Sequence, residues 1–389
     1  MAGGYKMNFE LSKEIIEYIE NSVDEAKTLL KELCLIPAPS NHEEKRAEFC
    51  KNWLLNIGAE GTYIDDALNV VYPSNCDGRD DIVVFMAHTD TVFPDMTEPM
   101  PYSEDENNIY SPGVGDDTVC LVMMLMAVKY IVENNIKPNC GMLFVANSGE
   151  EGLGNLKGSR KIMEDYAGRV KEFYTFDGTY RRVVNKCVGS HRYKITVETE
   201  GGHSFNKFGN TNAIYVMSKL VCALYACEVP KVGNSRTTYN VGVINGGTSV
   251  NTIAQKCEMM YEYRSDNKEC MDKMKAFFEN TIAEYKNQDK AKIDVEIVGE
   301  RPCGGDVDMN KLEEMTEKVI RTCEKYSGLN CISTSGSTDC NIPQSLGVAA
   351  VCPGIYMGGG AHTREEWVKK SSIPVGLKIA FELILGYFN

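Results

Sequence analysis

Apolar and polar positions alternate in different ways along different parts of the chain. Residues 8–56 carry the periodicity of amphipathic helices. The prolines of residues 36–39 interrupt that periodicity, and Ser40 is a suitable N-cap for a second helix. From residue 81 onward, short apolar runs alternate with helical patterns, which predicts strands and helices in turn.

The first part of this alternation, up to residue 176, consists of strands that are each followed by a helix. Strands and helices in this order indicate a largely parallel sheet that is covered by helices on both faces. The predicted elements are the strand Asp81–Ala87, the helix Val119–Glu133, the strand Gly141–Ala146, the helix Leu156–Tyr166 and the strand Glu172–Phe176.

The pattern changes near Val188. The predicted order of elements there is strand, helix, strand, strand, helix, strand. This is the split βαβ order of a ferredoxin-like α+β unit. The predicted elements are the strand Tyr193–Thr199, the helix Thr211–Cys227, the strands Thr237–Ile244 and Lys256–Arg264, the helix Asn267–Gln288 and the strand Lys292–Val298.

The β/α character returns after residue 300, with a helix at Met309–Tyr326, a strand at Val348–Cys352 and a closing helix at 372–387. The sequence therefore predicts an α/β domain with a largely parallel, mixed sheet, into which a ferredoxin-like domain is inserted. The predicted boundaries are residues 1–187 and 300–389 for the α/β domain and residues 188–299 for the inserted domain.

Length and composition agree with two domains, because 389 residues of which 43% are hydrophobic suffice for a large core. We expect no membrane span, since no apolar run is long enough, and no signal peptide at the N-terminus. Met7 offers a second possible start of the chain.

Cysteine content and net charge indicate the cell compartment of the protein and exclude some kinds of partner. Fifteen cysteines, an odd number without Cys-x-x-Cys pairs, suit a reduced cytoplasmic chain better than a disulfide framework. A net charge of −14 argues against partnership with nucleic acid or with an anionic membrane surface. We therefore expect a cytoplasmic protein with neither kind of partner.

Two adjacent carboxylates, Glu150 and Glu151, follow the predicted strand 141–146. Two like charges at a strand end are costly to bury unless a cation holds them or water solvates them. Taken alone, the pair has a plain alternative explanation, which is a solvated turn before the next helix. Other strands of this chain end in similar residues, and this repetition favours a functional site.

His88 follows the strand 81–87, and Asp90 is suitably placed to support a metal-binding imidazole. A histidine in this position is alternatively a structural residue. Asp116 lies in the glycine-rich segment 111–118, at the start of a predicted helix where negative charge is favoured. An ordinary helix N-cap is the alternative for Asp116.

Asp177 follows another predicted strand, and His362 follows three glycines. In an open parallel sheet, residues after the strands gather in a crevice at the carboxyl ends of those strands. Two imidazoles and three carboxylates, one of them from the Glu150–Glu151 pair, are the mixed ligands of two divalent metal ions, zinc first. One ligand then bridges the two ions.

These motifs, in this order, resemble those of the di-zinc exopeptidases of metallopeptidase family twenty, which includes peptidase T, carnosine dipeptidase, aminoacylase and glutamate carboxypeptidase. The resemblance extends from Ile-Pro-Ala-Pro-Ser at 36–40 to His-Thr-Arg-Glu-Glu at 362–366 and includes the inserted domain. It implies a catalytic α/β domain with an inserted lid and dimerisation domain, and therefore a homodimer.

The resemblance also implies which residues bind each of the two metal ions. It implies that His88 and Asp177 bind one zinc ion, that Glu151 and His362 bind the other, and that Asp116 bridges the two. Manganese and cobalt are the alternative metals.

The same resemblance assigns the remaining groups of the centre. It makes Glu150 the general base that acts on metal-activated water. We count Asp90, the expected support of the His88 imidazole, with Glu150 among the catalytic residues. It further implies a cis peptide bond between Asp116 and Asp117.

The inserted domain supplies three further candidates by resemblance. His203 is similar to the lid histidine that stabilises the oxyanion and that comes from the partner subunit in dimeric members; a capping histidine in a glycine turn is the alternative. Asn251 is similar to a lid asparagine that faces the substrate. Arg264 is similar to an arginine that binds a substrate carboxylate, for which a guanidinium is well shaped; a solvated arginine at a strand end is the alternative.

Two positions depart from the family pattern. Thr118 stands where the family usually has lysine, and Cys120 stands where a small residue is common. Both lie on the helix that supports Asp116, so the departures concern the fit of the substrate more than the binding of metal.

Asp177 and the segment 149–158 bear on the substrate. In the family, aspartate at the position of Asp177 accompanies aminopeptidase-type di- and tripeptidases, and the segment is most similar to the peptidase T branch. The resemblance implies a metal-dependent exopeptidase that acts on short peptides. A deacylase of N-acyl amino acids is the alternative, and a non-catalytic binding protein is a remote one because none of the expected site residues is missing.

Overall fold

The computed structural model of the protein describes residues 9–96, 98–288 and 290–388. The possible start at Met7 lies outside these residues. No helix in the described part of the chain combines the length and the apolar character that a membrane crossing requires. All fifteen cysteines lie within the described ranges, and no disulfide bond joins any two of them there.

The chain forms two compact units, each with its own hydrophobic core. The larger unit comprises the chain up to Cys187 and the chain from Asp306 onward. The inserted unit comprises Val188–Gly305.

Several helices begin at polar side chains that accept hydrogen bonds from the first turn, as Ser12, Asn212 and Asp308 do. In chain order, the helices of the described residues are α1 (Lys13–Cys34), α2 (Glu44–Asn56), α3 (Val119–Glu133), α4 (Lys157–Asp165), α5 (Ala213–Tyr225), α6 (Lys268–Gln288), α7 (Met309–Ser327), α8 (Asn341–Ser345) and α9 (Ile373–Leu385).

The strands range from two to ten residues. In chain order they are β1 (Tyr63–Ile64), β2 (Val70–Ser74), β3 (Ile82–His88), β4 (Ser103–Glu104), β5 (Asn108–Tyr110), β6 (Gly141–Asn147), β7 (Val170–Thr175), β8 (Arg182–Cys187), β9 (Gly189–Glu198), β10 (Gly202–His203), β11 (Thr237–Gly246), β12 (Thr252–Ile253), β13 (Lys256–Ser265), β14 (Lys292–Arg301), β15 (Ile332–Gly336), β16 (Ala349–Pro353), β17 (Gly358–Gly359) and β18 (Trp367–Lys369).

The main sheet of the larger unit has the strand order β1-β2-β6-β3-β7-β16-β8-β15 among the described residues. Strands β6, β3, β7 and β16 are parallel, whereas β2 and β8 run antiparallel to their neighbours β6 and β16. The predicted largely parallel, mixed sheet is therefore confirmed. A second, small sheet joins β17, β18, β5 and β4.

Side chains of the central strand β3 alternate between the two faces of the main sheet. Val83 and Phe85 belong to the core that α1, α3, α7 and α9 form on one face. Val84 and Met86 belong to the core that includes residues of α4 and α8 on the other face. All seven residues of β3 are buried, as expected for a strand of a parallel sheet covered on both faces.

The inserted unit has the sheet order β11-β13-β9-β14, with every pair antiparallel. With α5 and α6, this is the predicted ferredoxin-like order. Ile195, Val197, Met259 and Tyr261 form a core with residues of both helices. A short ribbon of β10 and β12 completes the unit.

The prediction that Ser40 caps the second helix was wrong. Helix α2 begins after Glu43, whose side chain makes no capping hydrogen bond. The hydroxyl of Ser40 instead donates to Asp90 Oδ2 at 2.6 Å. Asp90 lies 50 residues further along the chain, and a capping rule considers only neighbouring residues.

Candidate metal and catalytic site

His88 is the last residue of β3 and pairs in register with Asn147 of β6. Its backbone N–H donates to Asp117 Oδ2 at 3.0 Å. Its ring nitrogen Nε2 lies 3.0 Å from Asp116 Oδ1, and Nδ1 lies 3.0 Å from the carbonyl oxygen of Asp90. A carbonyl oxygen at Nδ1 places the proton of the neutral ring there, which leaves Nε2 with its lone pair for a metal ion.

Asp116 lies in a widened helical turn, Val114–Thr118, directly before α3. Gly113 enters this turn with a φ of 73°, a conformation that favours glycine. The hydroxyl of Thr118 donates to the carbonyl oxygen of Gly113 at 2.6 Å and closes the turn. Asp116 and Asp117 have non-helical backbone, and the peptide bond between them is cis, as the resemblance predicted.

Thr118, one of the two positions that depart from the family pattern, stabilises this turn. Its hydroxyl also accepts a hydrogen bond from Arg46 Nη1 at 3.3 Å, and the same nitrogen donates to the carbonyl oxygen of Thr89 at 2.7 Å. Cys120, the second departure, is fully buried on α3. Thr118 thus supports the turn through both of its hydrogen bonds.

Asp116 stands between two histidines. His88 Nε2 lies 3.0 Å from Asp116 Oδ1, and His362 Nε2 lies 3.2 Å from Asp116 Oδ2. His362 Nε2 also lies 3.1 Å from Glu151 Oε1. Ligand atoms of His88, Asp116 and Glu151 all lie within 4.8 Å of one another. A carboxylate between two imidazoles is suited to bridge two cations.

His362 approaches the centre from a loop that follows β17. Its backbone has a φ of 64°, and its side chain is 59% exposed, whereas His88 is buried. His362 therefore marks the side of the centre that is open to solvent within the larger unit.

Asp90 is fully buried and connects three segments around the centre. Its carboxylate accepts the hydroxyl of Ser40 and the backbone N–H groups of Glu150 and Glu151, the last two at 3.0 Å each. Its Oδ1 lies 3.4 Å from His88 Nδ1. Asp90 thus holds the turn after β6 in a fixed position next to the end of β3.

Asp177 follows β7, and its backbone N–H donates to the carbonyl oxygen of Pro353 at 3.1 Å. It stands outside the group of described ligand atoms that lie within 4.8 Å of one another. Burial raises the pKa of Asp177 to about 7, and the charge of Asp116 adds to this shift. The structure therefore brings four of the five predicted ligands into contact, namely His88, Asp116, Glu151 and His362. The fifth, Asp177, is close enough for the charge of Asp116 to raise its pKa.

The electrostatics of the centre suit a cation. Burial raises the pKa of Glu151 to about 8, and although the hydrogen bond to His362 opposes the shift, the charges of Asp116 and Glu150 add to it. Hydrogen bonds to Asp116 and Glu151 raise the pKa of His362 to about 11. Buried carboxylates that repel one another form a donor set that a divalent cation neutralises. The residues present therefore fit a metal centre.

Two buried acids near the centre escaped the sequence-based prediction. Asp339 Oδ2 accepts a hydrogen bond from Asn147 Nδ2 at 2.7 Å, and burial together with the charge of Glu150 raises the pKa of Asp339 to about 7. Glu366 accepts the backbone N–H of Asp116 at 2.7 Å. The only sequence signals are the polar segment Gly-Ser-Thr-Asp at 336–339 and the second glutamate of the His362 motif.

In the inserted unit, His203 and Asn251 lie close together on the ribbon of β10 and β12. His203 pairs with Thr252, and the N–H of Ser204 donates to the carbonyl oxygen of Asn251 at 3.0 Å. The N–H of Phe205 donates to His203 Nδ1 at 3.2 Å. This contact leaves Nε2 as the protonated nitrogen of the neutral ring.

Arg264 of β13 lies in one row across the sheet with Ser190 of β9 and Arg301 of β14. Arg264 Nε and Ser190 Oγ are buried and have no hydrogen-bond partner among the described residues. Burial lowers the pKa of Arg264. The row thus combines positive charge with unused hydrogen-bond donors, which is a suitable arrangement for binding an anion.

Comparison with known proteins identifies a family. The model of peptidase family M20/M25/M40 matches residues 84–386, which is more than half of the chain. The uncharacterized protein YqjE of Bacillus subtilis (strain 168) is 24% identical over 345 residues, covering 82% of this chain and 87% of that protein. An acetylornithine deacetylase of Aliivibrio fischeri (strain ATCC 700601 / ES114) is 23% identical over 325 residues, covering 78% and 80%.

Solved structures share the fold. A tripeptidase from Staphylococcus aureus subsp. aureus Mu50 superposes with a TM-score of 0.71 at 22% identity, covering 93% of this chain and 97% of that one. The Bacillus subtilis YXEP protein, described as a dinuclear metal-binding peptidase, superposes with a TM-score of 0.61 at 14% identity, covering 95% and 99%. At these identities the likeness establishes the fold alone.

Proposed function

The chain belongs to peptidase family M20/M25/M40, and from this membership we propose that it is a metal-dependent exopeptidase that removes residues from the amino end of di- and tripeptides. The observation that carries the proposal is the cluster of His88, Asp116, Glu151 and His362, with Asp116 in contact with both imidazoles. Its chemistry is that of a hydrolytic two-metal centre.

His88 and Asp177 would hold one metal ion, and Glu151 and His362 would hold the other, with Asp116 between them. We propose zinc, since imidazole and carboxylate ligands suit it, with manganese and cobalt as alternatives. When bound, such ions supply Lewis acidity that polarises the scissile carbonyl and lowers the pKa of water.

Glu150 is the proposed general base. It is next to the ligand Glu151, it is buried, and its backbone N–H is fixed by Asp90. Its carboxylate takes the proton from the attacking water and passes it to the leaving amine. A base held in position in this way contributes about 10²–10⁴-fold to the rate.

His203 is the proposed donor to the oxyanion. Because its Nδ1 accepts the N–H of Phe205, its Nε2–H is available as a hydrogen-bond donor. Asn251, next to it on the same ribbon, would contact the substrate.

Arg264 is the proposed site for the carboxylate of the peptide. The unused donors of Arg264 and Ser190, and the charge of Arg301 in the same row, support this role. A substrate with a free carboxyl terminus would thus be favoured over an amidated one.

A deacylase of N-acyl amino acids is the second candidate, because the acetylornithine deacetylase relative spans 78% of this chain. The experiment compares Ala-Ala-Ala, N-acetyl-Ala-Ala-Ala, N-acetylalanine and N-acetylornithine as substrates of the metal-loaded protein. We expect kcat/KM for Ala-Ala-Ala to exceed that for the acetylated compounds by about 100-fold, since a site that binds a free amine rejects an amide strongly.

Three other results with these four substrates would contradict the proposal. Preferred hydrolysis of N-acetylalanine or N-acetylornithine would overturn the peptidase in favour of the deacylase. Cleavage of N-acetyl-Ala-Ala-Ala as fast as Ala-Ala-Ala would remove the aminopeptidase assignment. Binding of all four compounds without turnover would point to the binding protein.

We further propose a cytoplasmic homodimer. Strand β11 lies at an edge of the inserted unit's sheet, and Val243 and Ile244 on it are about half exposed. A second copy that pairs along this edge would cover both side chains. A solution mass equal to a single chain of 43.3 kDa in light scattering would exclude the dimer.

A further inference from the structure

Glu366 is a buried carboxylate that has no part in the chemistry proposed above. Only 1% of the residue is exposed. It directly precedes β18, which pairs with β5 through Trp367 and Tyr110. The backbone N–H of Ser111 donates to the carbonyl oxygen of Glu366 at 3.2 Å and extends this pairing. The strand pairing thus brings the side chain of Glu366 to the turn that carries Asp116.

Three backbone N–H groups of this turn converge on the Glu366 carboxylate. Gly113 donates to Oε2 at 2.7 Å, while Gly115 and Asp116 donate to Oε1 at 3.0 and 2.7 Å. Both oxygens of the carboxylate are thus used as acceptors for the turn. The donor of the central residue, Asp116, is among them, so its backbone is fixed directly.

The turn also approaches the carboxylate more closely than a residue with a side chain allows. A Cβ atom at Gly115 would lie 2.8 Å from Glu366 Oε1 and 2.6 Å from the hydroxyl oxygen of Tyr356. The absence of a side chain at position 115 is therefore a condition for the contact between the turn and Glu366.

We propose that Glu366 is a positioning residue of the metal centre. It holds the Asp116 turn so that the carboxylate of Asp116 stands between His88 and His362. Because Glu366 lies in the same loop as His362, it also ties two ligand-bearing loops to each other. This inference rests on the proposed function in one respect, namely that Asp116 is a metal ligand.

The test is the variant Glu366→Gln. A glutamine has only one acceptor oxygen, and its amide N–H₂ would face a backbone N–H, so at least one hydrogen bond to the turn is lost. We expect the dissociation constant for Zn²⁺, measured by competition with a chromophoric chelator, to rise about 10–100-fold, the usual effect of losing a group that orients a ligand. The visible spectrum of the Co²⁺-loaded protein should change as well.

The matched control is Glu365→Gln, the same chemical change at the neighbouring exposed residue. This variant should bind Zn²⁺ like the wild type. Thermal unfolding of both variants in chelator measures the fold separately. An E366Q protein that unfolds earlier but binds Zn²⁺ with wild-type affinity would show that Glu366 supports the fold only and would overturn the proposal.

Gly115→Ala is the second variant, for the case that E366Q does not fold. Its methyl group displaces the turn from Glu366, so Zn²⁺ binding should weaken in the same way, and wild-type affinity would overturn the proposal. The binding readout is independent of hydrolysis. A wild-type protein that binds Zn²⁺ but cleaves no peptide contradicts the proposed function and leaves the role of Glu366 to be decided by these variants.

Discussion

Glu150 and Glu151 are neighbours in the chain, yet they have different surroundings. Glu151 reaches His362, with Oε1 3.1 Å from Nε2. Both backbone N–H groups donate to the carboxylate of Asp90, so the orientation of the pair is set by a third acid. One side chain is thereby placed among the candidate ligands, and proton transfer is the role that we propose for the other.

The variant Glu150→Gln tests this division of roles. We expect Zn²⁺ affinity to stay at the wild-type value, because Glu150 is not a proposed ligand. We expect kcat for Ala-Ala-Ala to fall about 10²–10⁴-fold, because the amide cannot accept the proton. Steady-state kinetics and metal analysis provide both numbers.

Glu164→Gln is the control for this prediction, since Glu164 is an exposed glutamate on α4. It should leave both quantities unchanged. If E150Q turned over peptide at the wild-type rate, Glu150 could not be the base.

Single residues differ in how well the sequence predicts them. His88, Asp116, Glu151 and His362 each follow a strand or a glycine turn, and the sheet brings such residues to one edge. Asp339 follows a strand that the sequence pattern did not predict, and its partner Asn147 is far away in the chain. Contacts of this kind depend on tertiary structure, so a local pattern cannot reveal them.

Elements of the main sheet explain why the site forms where it does. Strands β3, β6 and β7 are adjacent and parallel, and they end close to His88, Glu151 and Asp177. Their apolar runs were recognisable in the sequence because both faces of the sheet are covered. Helix α3, in which residues 119–128 are all buried, was predicted with the bounds that the structure shows.

Other elements have no such pattern. Strands β5 and β18 have three residues each and exist because they pair with one another. Strand β15 contains mostly small polar residues and lies at the edge of its sheet. Pairing, rather than composition, determines these strands, and pairing is not visible in the sequence.

Arg46 connects helix α2 to the segments that lead to the site. The buried guanidinium donates from Nε to the carbonyl oxygens of Leu33 and Ile36 and from Nη1 to that of Thr89. We expect Arg46→Met to lower the free energy of unfolding by about 3 kcal/mol, because buried carbonyl groups lose their donor. Urea unfolding measures the change.

Lys51→Met, on the same helix but partly exposed, is the control for Arg46→Met. Its effect should stay within about 0.5 kcal/mol, as for most surface substitutions. Equal effects of the two substitutions would contradict the role given to Arg46.

For the whole molecule, family membership and fold are established, whereas the substrate is proposed. Membership of peptidase family M20/M25/M40 covers residues 84–386, which include the candidate ligands. The two-domain organisation followed from the change of pattern near Val188, and the structure divides the chain there. The identity of the substrate depends on contacts that neither the pattern nor the fold specifies.

We propose above all that the cluster around Asp116 is a metal centre that hydrolyses short peptides. The most direct measurement strips the wild-type protein of metal with a chelator and then follows Ala-Ala-Ala hydrolysis while Zn²⁺ is added. Metal content is determined at each point of the titration.

We predict no hydrolysis by the metal-free protein and a rate that rises until about two Zn²⁺ ions are bound per chain, as expected for a two-metal centre. Hydrolysis at full rate without metal, or two bound Zn²⁺ ions without any hydrolysis of the peptide, would contradict the account.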